Sequence, residues 1–190
     1  MSSRIDMEFA LPAMGNALSD PNTDVQQCIT RALLNAAANE KTREKAISLL
    51  ASALSHEDEG VRLNAAKTLA DAAEKGIDIT SAIRVLGQSL SAIGPEAGKE
   101  AARALLHATL NEKTRDEAVS VLRNALSDKN DASRLLVVAT LRDAAEKGAD
   151  VSLAIPALGN ALYDKNTEIR IAASAALKIS AKNRFHMLSA

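Results

Sequence analysis

Five leucines, Leu18, Leu54, Leu90, Leu126 and Leu162, stand 36 residues apart, and each closes an apolar run and opens a polar turn. Aligned on them, residues 7–186 divide without insertion into five units of 36: 7–42, 43–78, 79–114, 115–150 and 151–186. Further columns stay in phase, among them Ala10, Ala46, Ala82, Ala118 and Ala154, and Leu33, Leu69, Leu105, Leu141 and Leu177. A period of this length marks one supersecondary unit that cannot bury its apolar face alone and does so by stacking on its neighbours.

Each unit reads as two helices. In the first, Leu11, Met14 and Leu18 follow i, i+3, i+7 spacing and define one apolar stripe. A turn follows at Ser19-Asp20-Pro21-Asn22. Thr23 with Gln26 then reads as a capping box opening the second helix, and Thr114-Arg115-Asp116-Glu117 reads as another capping box. Gly76 and Gly148 suit the left-handed position that ends a helix. Pro12 and Pro156 are placed in the first turn of a first helix, where a missing N–H costs little. The apolar 47% is mostly alanine and leucine, with 2% aromatic residues and no tryptophan. Those are the strongest helix formers, so the expected class is all-α.

A second period of 72 overlies the first. Asn-Glu-Lys-Thr-Arg occupies 39–43 and 111–115, and Ala-Ala-Glu-Lys-Gly occupies 72–76 and 144–148. Connections between units therefore alternate between two forms. Unit three departs from the rest: its turn reads Ala92-Ile93-Gly94-Pro95, and Gly98 falls inside the second helix at a cost of about 1 kcal/mol against alanine. Such a departure reads as sequence drift, a local change in stacking angle, or a hinge that changes curvature.

The run Ala154-Ile155-Pro156-Ala157-Leu158, a turn with Asp164, then Glu168-Ile169-Arg170-Ile171-Ala172-Ala173 resembles the short HEAT-like repeat of the phycobilisome-lyase type. The resemblance covers residues 7–186. It implies a right-handed α-solenoid with first helices on the convex side and second helices on the concave side. It also implies one repeat domain, 1–190, with short caps at 1–6 and 187–190, to which Lys182-Asn183-Arg184 could add. In that family a turn aspartate and an arginine six residues later form a ladder between units. Asp128 with Arg134 and Asp164 with Arg170 match; Asp20 with Gln26, His56 with Arg62 and Ala92 with Gly98 depart from it.

Signatures of catalysis are missing. Cys28 is the only cysteine, and His56, His107 and His186 show no metal-ligand spacing, so no metal site, cofactor or catalytic residue is expected. With 23 basic and 24 acidic residues the net charge is −1, which disfavours nucleic acid as the main partner. No apolar run is long enough to span a bilayer, and the start MSSRIDMEFA carries no leader pattern. A cytoplasmic, monomeric, non-enzymatic protein is the expectation.

What remains is the face of the second helices turned away from Val25, Ile29, Ala32, Leu33 and Ala36. Advancing 100° per residue puts Gln27, Arg31, Leu34 and Ala38 there. The Arg31 column continues as Lys67 and Arg103, a basic stripe. The Asn35 column continues as Asp71, His107 and Asp143. Leu34 is followed at its position by Leu106 and Arg142, and Gln27 by Leu63, Lys99 and Leu135. Arginine mixed with apolar residues on a solvent-facing groove suits protein recognition, with an acidic or amphipathic peptide as partner. Two other classes stay open: an accessory subunit or enzyme of the chromophore-lyase type, and a nucleic-acid binder using the basic stripe.

Overall fold

The computed structural model describes the backbone of residues 7–92 and 94–188 and the side chains of residues 9–92 and 94–183. The expected caps at 1–6, 189 and 190, and the side chains of Arg184 and His186, lie outside this range. All regular structure among the described residues is helical. The first helices are α1 (Met7–Ala17), α3 (Arg43–Ala53), α5 (Thr80–Ser89), α7 (Arg115–Ala125) and α9 (Ile155–Ala161), the last preceded by a 3-10 turn at Ser152–Ala154. The second helices are α2 (Thr23–Ala38), α4 (Glu59–Glu74), α6 (Pro95–Leu110), α8 (Asp131–Glu146) and α10 (Thr167–Leu188). Every second helix starts 36 residues after the previous one, and every first helix ends at the same interval. The fold class is an all-α solenoid of two-helix repeats.

The chain falls into two compact units, Met1–Ala104 and Leu105–Ala190. In the first, α3 packs against α1 and α5, α2 packs against α4, and α3 also touches α2 and α4. First helices thus form one layer and second helices another. In the second unit α10 packs along α8 and on α9, while α7 packs on α8 and on the 3-10 turn. The repeating leucine columns fill both cores: Leu33, Leu50, Leu69 and Leu86 in one, Leu105, Leu122, Leu141 and Leu158 in the other, all fully buried. Between them lie Ala36, Ala65, Ala72, Ala144 and Ala173, also buried, whose small side chains let neighbouring helices approach.

The two connection forms close helix ends by different chemistry. After α4 and α8 the chain reaches Gly76 and Gly148 at φ of 72° and 86°. There Ile77 N–H reaches Ala72 O and Ala149 N–H reaches Ala144 O, satisfying carbonyls that a helix end leaves open. The short connections have no such glycine. Instead Thr42 Oγ1 donates to Ala36 O at 2.7 Å and Arg43 Nε to Ala37 O at 3.1 Å. Thr114 Oγ1 to Ala108 O at 2.7 Å and Arg115 Nε to Thr109 O at 3.3 Å repeat the device.

That geometry corrects three sequence expectations. Thr114 caps no forward N–H, because its buried hydroxyl turns back to the preceding helix. At α2 the cap is Asn22, which accepts from Asp24 N–H at 2.8 Å, while Thr23 is already helical. Pro156 does open α9, but Pro12 lies inside α1.

One core position is out of character. Ser133 occupies the column filled elsewhere by Val25, Val61, Ala97 and Ile169, and its buried Oγ has no hydrogen-bond partner among the described residues. A buried hydroxyl left unbonded costs about 1–3 kcal/mol. Ser133→Ala is expected to stabilise the protein by about 1 kcal/mol, read as a higher urea midpoint with unchanged slope. An unchanged or lower midpoint would show that the hydroxyl is satisfied in solution.

Candidate functional site

The turns between first and second helices set how neighbouring repeats meet. Asp20, Asp128 and Asp164 each accept, through Oδ1, the N–H two residues on, at 2.8–2.9 Å. His56 does the same through Nδ1, from Asp58 N–H at 3.0 Å. The residue six positions later then donates back to the carbonyl of that turn residue. Gln26 reaches Asp20 O at 2.8 Å, Arg62 reaches His56 O at 2.7 Å, Arg134 reaches Asp128 O at 2.9 Å and Arg170 reaches Asp164 O at 2.8 Å. Within a repeat the Asp–Arg pairs read from the sequence therefore meet through a backbone carbonyl.

The carboxylate contact is made one repeat further on. Arg134 grips Asp164 with two parallel bonds, Nε to Oδ2 at 2.8 Å and Nη2 to Oδ1 at 3.0 Å. It also bonds Asp131 at 3.0 Å, which Lys165 approaches at 3.1 Å. The hydrogen bonds from Arg134 hold the Asp164 carboxyl below its ordinary range, and the bond with Asp164 holds Arg134 above its own. A hydrogen bond with Lys165, and then one with Arg134, lowers Asp131. In the first unit Gln26, at the position of Arg134, is tied to the next repeat from a different position, by Asn64 Nδ2 of α4 donating to Gln26 Oε1 at 3.0 Å.

On the second-helix face, α2 and α4 lie side by side and enclose a groove of about 350 Å³. Five residues singled out from the sequence meet there: Gln27, Arg31 and Leu34 from α2, Lys67 and Asp71 from α4. Thr30, Asn64 and Thr68 join them and were not anticipated as site residues. Thr30 and Thr68 bond their hydroxyls to carbonyls within their own helices, so the signal available in sequence was a polar residue next to each charged one. Arg31 and Lys67 are exposed and make no ion pair among the described residues. Leu63, also on α4, is half-buried.

Arg103 differs from the other two members of its column. Its guanidinium pairs with Asp71 at 2.7 Å, Glu100 at 2.8 Å and Glu74 at 3.0 Å. Burial opposes its charge, and the bonds to Asp71 and Glu100 more than offset that, raising its pKa. Three carboxylates around one arginine cancel the basic stripe at this point. A wheel drawn on single helices cannot show it, because Asp71 and Glu74 belong to the helix before. Lys99 is turned to Glu96 at 2.7 Å on the exposed side of α6.

In the second unit Leu106 and His107 sit on the last turns of α6, and Leu135, Arg142 and Asp143 on α8, all half-buried. Arg142 Nε and Nη2 both bond Asp143 Oδ1, at 3.0 and 2.7 Å, and the bond with Asp143 raises the Arg142 pKa. Among the described residues no cluster of His, Cys, Asp and Glu is placed to hold a metal ion, and no helix is long and apolar enough to cross a membrane.

No protein-family model matches the sequence, and no curated protein matches it. Solved structures do resemble it in fold. A designed armadillo repeat protein in complex with the peptide (KR)4 is 23% identical with a TM-score of 0.55, over 90% of this chain and 82% of that one. Computationally designed armadillo repeat proteins for modular peptide recognition are 26% identical with a TM-score of 0.52, over 90% and 82%. The complex of CpcE and CpcF of phycocyanin lyase from Nostoc sp. is 19% identical with a TM-score of 0.56, over 88% and 98%. These likenesses place the chain among helical repeat proteins.

Proposed function

We propose that this chain is a non-enzymatic, HEAT-like repeat scaffold that binds a peptide segment of a protein partner along the exposed face of its second helices. The observation that carries the reading is the α2–α4 groove, where Arg31 and Lys67 stand exposed beside Leu34. Two cations next to an apolar residue suit a segment that alternates carboxylates with aliphatic side chains. Asp71 at the groove edge is held by Arg103, so it does not reach for the two cations. Designed armadillo proteins of similar fold recognise peptides, which supports a peptide partner for this chain. Nucleic acid is a poorer fit, since the carboxylates around Arg103 interrupt the positive stripe that a phosphate backbone requires.

The test is fluorescence anisotropy with a labelled peptide of alternating glutamate and leucine, with (KR)4 as the opposite-charge control. The double variant Arg31→Glu, Lys67→Glu is expected to weaken the acidic peptide about tenfold, through faster dissociation and a flatter salt dependence. Both sites are exposed, so the helical signal should not change. Equal affinity before and after the charge reversal would end this reading. A second reading, a chromophore-lyase role, draws on the CpcE–CpcF likeness. It requires that added free bilin change its absorbance on mixing with the protein, a result a peptide scaffold would not give.

A further inference from the structure

Arg170 stands one repeat after Arg134 and is set in the same way. Its Nη1 donates to Asp164 O at 2.8 Å and Lys165 O at 3.1 Å, as Arg134 Nη1 donates to Asp128 O and Lys129 O. Its Nη2 reaches Thr167 Oγ1 at 2.9 Å, where Arg134 Nη2 reaches Asp131. Arg134 also grips Asp164, whereas Arg170 makes no ion pair among the described residues. A matching carboxylate stands on the first repeat. Asp20 accepts through Oδ1 from Asn22 N–H at 2.9 Å, its own N–H reaches Ala17 O at 3.2 Å, and Asn22 Oδ1 accepts from Asp24 N–H. The turn at Asp164 makes the same three bonds, with Asn166, Ala161 and Glu168 as the counterparts. No cation is bound to Asp20 among the described residues.

The apolar surfaces of the same two repeats are open in a complementary way. On the first repeat Met14, Val25 and Ile29 are half-buried, while the corresponding position of every later repeat is buried, as at Leu50, Val61 and Ala65. On the fifth repeat Ile155 and Leu177 are half-buried and Ala181 is exposed, while the corresponding position of every earlier repeat is buried, as at Val119, Leu141 and Ala145. The first set is the kind of surface a preceding repeat covers, and the second the kind a following repeat covers. We propose that the two faces meet between copies of this chain: the fifth repeat of one copy stacks on the first repeat of another, and Arg170 grips Asp20 of the second copy. Such a contact continues the repeat-to-repeat interface of the chain itself, with the same columns and the same two-bonded arginine–carboxylate rung. Only the flanking ion pair differs, because Pro21 and Thr167 stand where Lys165 and Asp131 flank the Arg134 grip. The contact is heterologous, since each copy offers two different faces, and it shares no residue with the α2–α4 groove. It departs from the monomer expected of the sequence.

Sedimentation velocity over a series of protein concentrations reads the association. Wild type is expected to shift to larger species as concentration rises. Ile29→Glu blocks the first-repeat face and Ala181→Glu the fifth-repeat face, and each variant alone should stay monomeric with an unchanged helical signal. Their equal mixture should form a dimer and nothing larger, because one intact face of each kind remains. Arg170→Gln and Asp20→Asn leave the apolar faces alone. Gln26 shows that glutamine keeps the carbonyl bond at the position of Arg170, and asparagine keeps an acceptor for Asn22 N–H, so both variants should fold. Each should weaken wild-type association about tenfold, and the double variant no further than either alone, because both remove the same rung. Wild type that is monomeric at every concentration, a dimer formed by either glutamate variant alone, or a mixture of the two that stays monomeric would overturn the proposal. So would association that Arg170→Gln and Asp20→Asn leave unchanged or weaken additively.

Discussion

Replacing Asp164 by alanine is expected to destabilise the second unit by about 2–3 kcal/mol, the largest effect of any turn residue. Asp164 does two jobs with one carboxylate: Oδ1 accepts from Asn166 N–H at 2.8 Å, and both oxygens take the Arg134 fork. The side chains of Arg134 and Asp164 retain only 9% and 12% of their exposure, so water cannot fully replace a lost partner. Alanine would leave Arg134 with Asp131, which is more open to solvent and already shared with Lys165. The figure stands below the 3–5 kcal/mol typical of a fully buried pair for that reason. Asp164→Asn separates the two jobs. It keeps an acceptor for Asn166 N–H and removes the charge, so it should recover part of the loss seen with alanine. Urea unfolding of both variants measures this. Equal stability of wild type and Asp164→Asn would mean that the turn, and not the ion pair, holds the repeats together.

The same pair has a defined pH signature. The folded pKa of Asp164 is depressed, chiefly by the hydrogen bonds from Arg134. A depressed carboxyl stabilises fully above its unfolded value, about 3.9, and the contribution fades as pH falls through the folded value. The stability gap between wild type and Asp164→Asn should therefore be constant from neutral pH down to about 5 and close below about 4. Arg134 stays charged throughout, so the window belongs to the carboxyl alone.

How much of this could be read from the chain varies with the distance over which a residue acts. Leu18, Leu54 and Leu90, with Leu33, Leu69, Leu105 and Leu141, lie in buried stripes with helical spacing, and helix boundaries 36 residues apart follow from their columns, although Leu126 and Leu177 are half-buried and Leu162 is exposed. Gly76 and Gly148 act within one turn of their helices and were equally legible. Gln26 was not. It looked like a break in an arginine ladder, but its amide makes the same carbonyl bond as Arg62 and Arg134. Thr114 was misread because its partner lies behind it at Ala108 O rather than ahead. At the groove the pattern picked out Arg31, Leu34, Lys67 and Asp71, which do converge, but could not show that Arg103 faces Asp71 and Glu74. A single-helix projection keeps the angle of each side chain and loses the helix beside it.

Gly98 carries the second large prediction. It stands at the position of Gln26, Arg62, Arg134 and Arg170, and without a side chain it cannot bond back to its own turn. In return α6 comes close to the end of α5: a Cβ at Gly98 would lie 2.8 Å from Leu90 O. That atom is backbone, at the residue closing α5, so it cannot swing aside as a side chain would. Helix propensity alone argues that alanine here gains about 1 kcal/mol. Overpacking against a fixed carbonyl costs about 1–3 kcal/mol and opposes it. The expected net result of Gly98→Ala is a loss of about 1–2 kcal/mol, with the amide shifts of Leu90 and Ser91 displaced. Gly159→Ala supplies the control, because its Cβ would meet nothing within 4 Å. Propensity should rule there and raise stability by up to about 1 kcal/mol. If both glycines respond alike, the close approach of α6 to Leu90 is not what keeps Gly98 small. Opposite signs would locate the peculiarity of the third repeat in that approach, and neither a hinge nor sequence drift would then be needed to account for it.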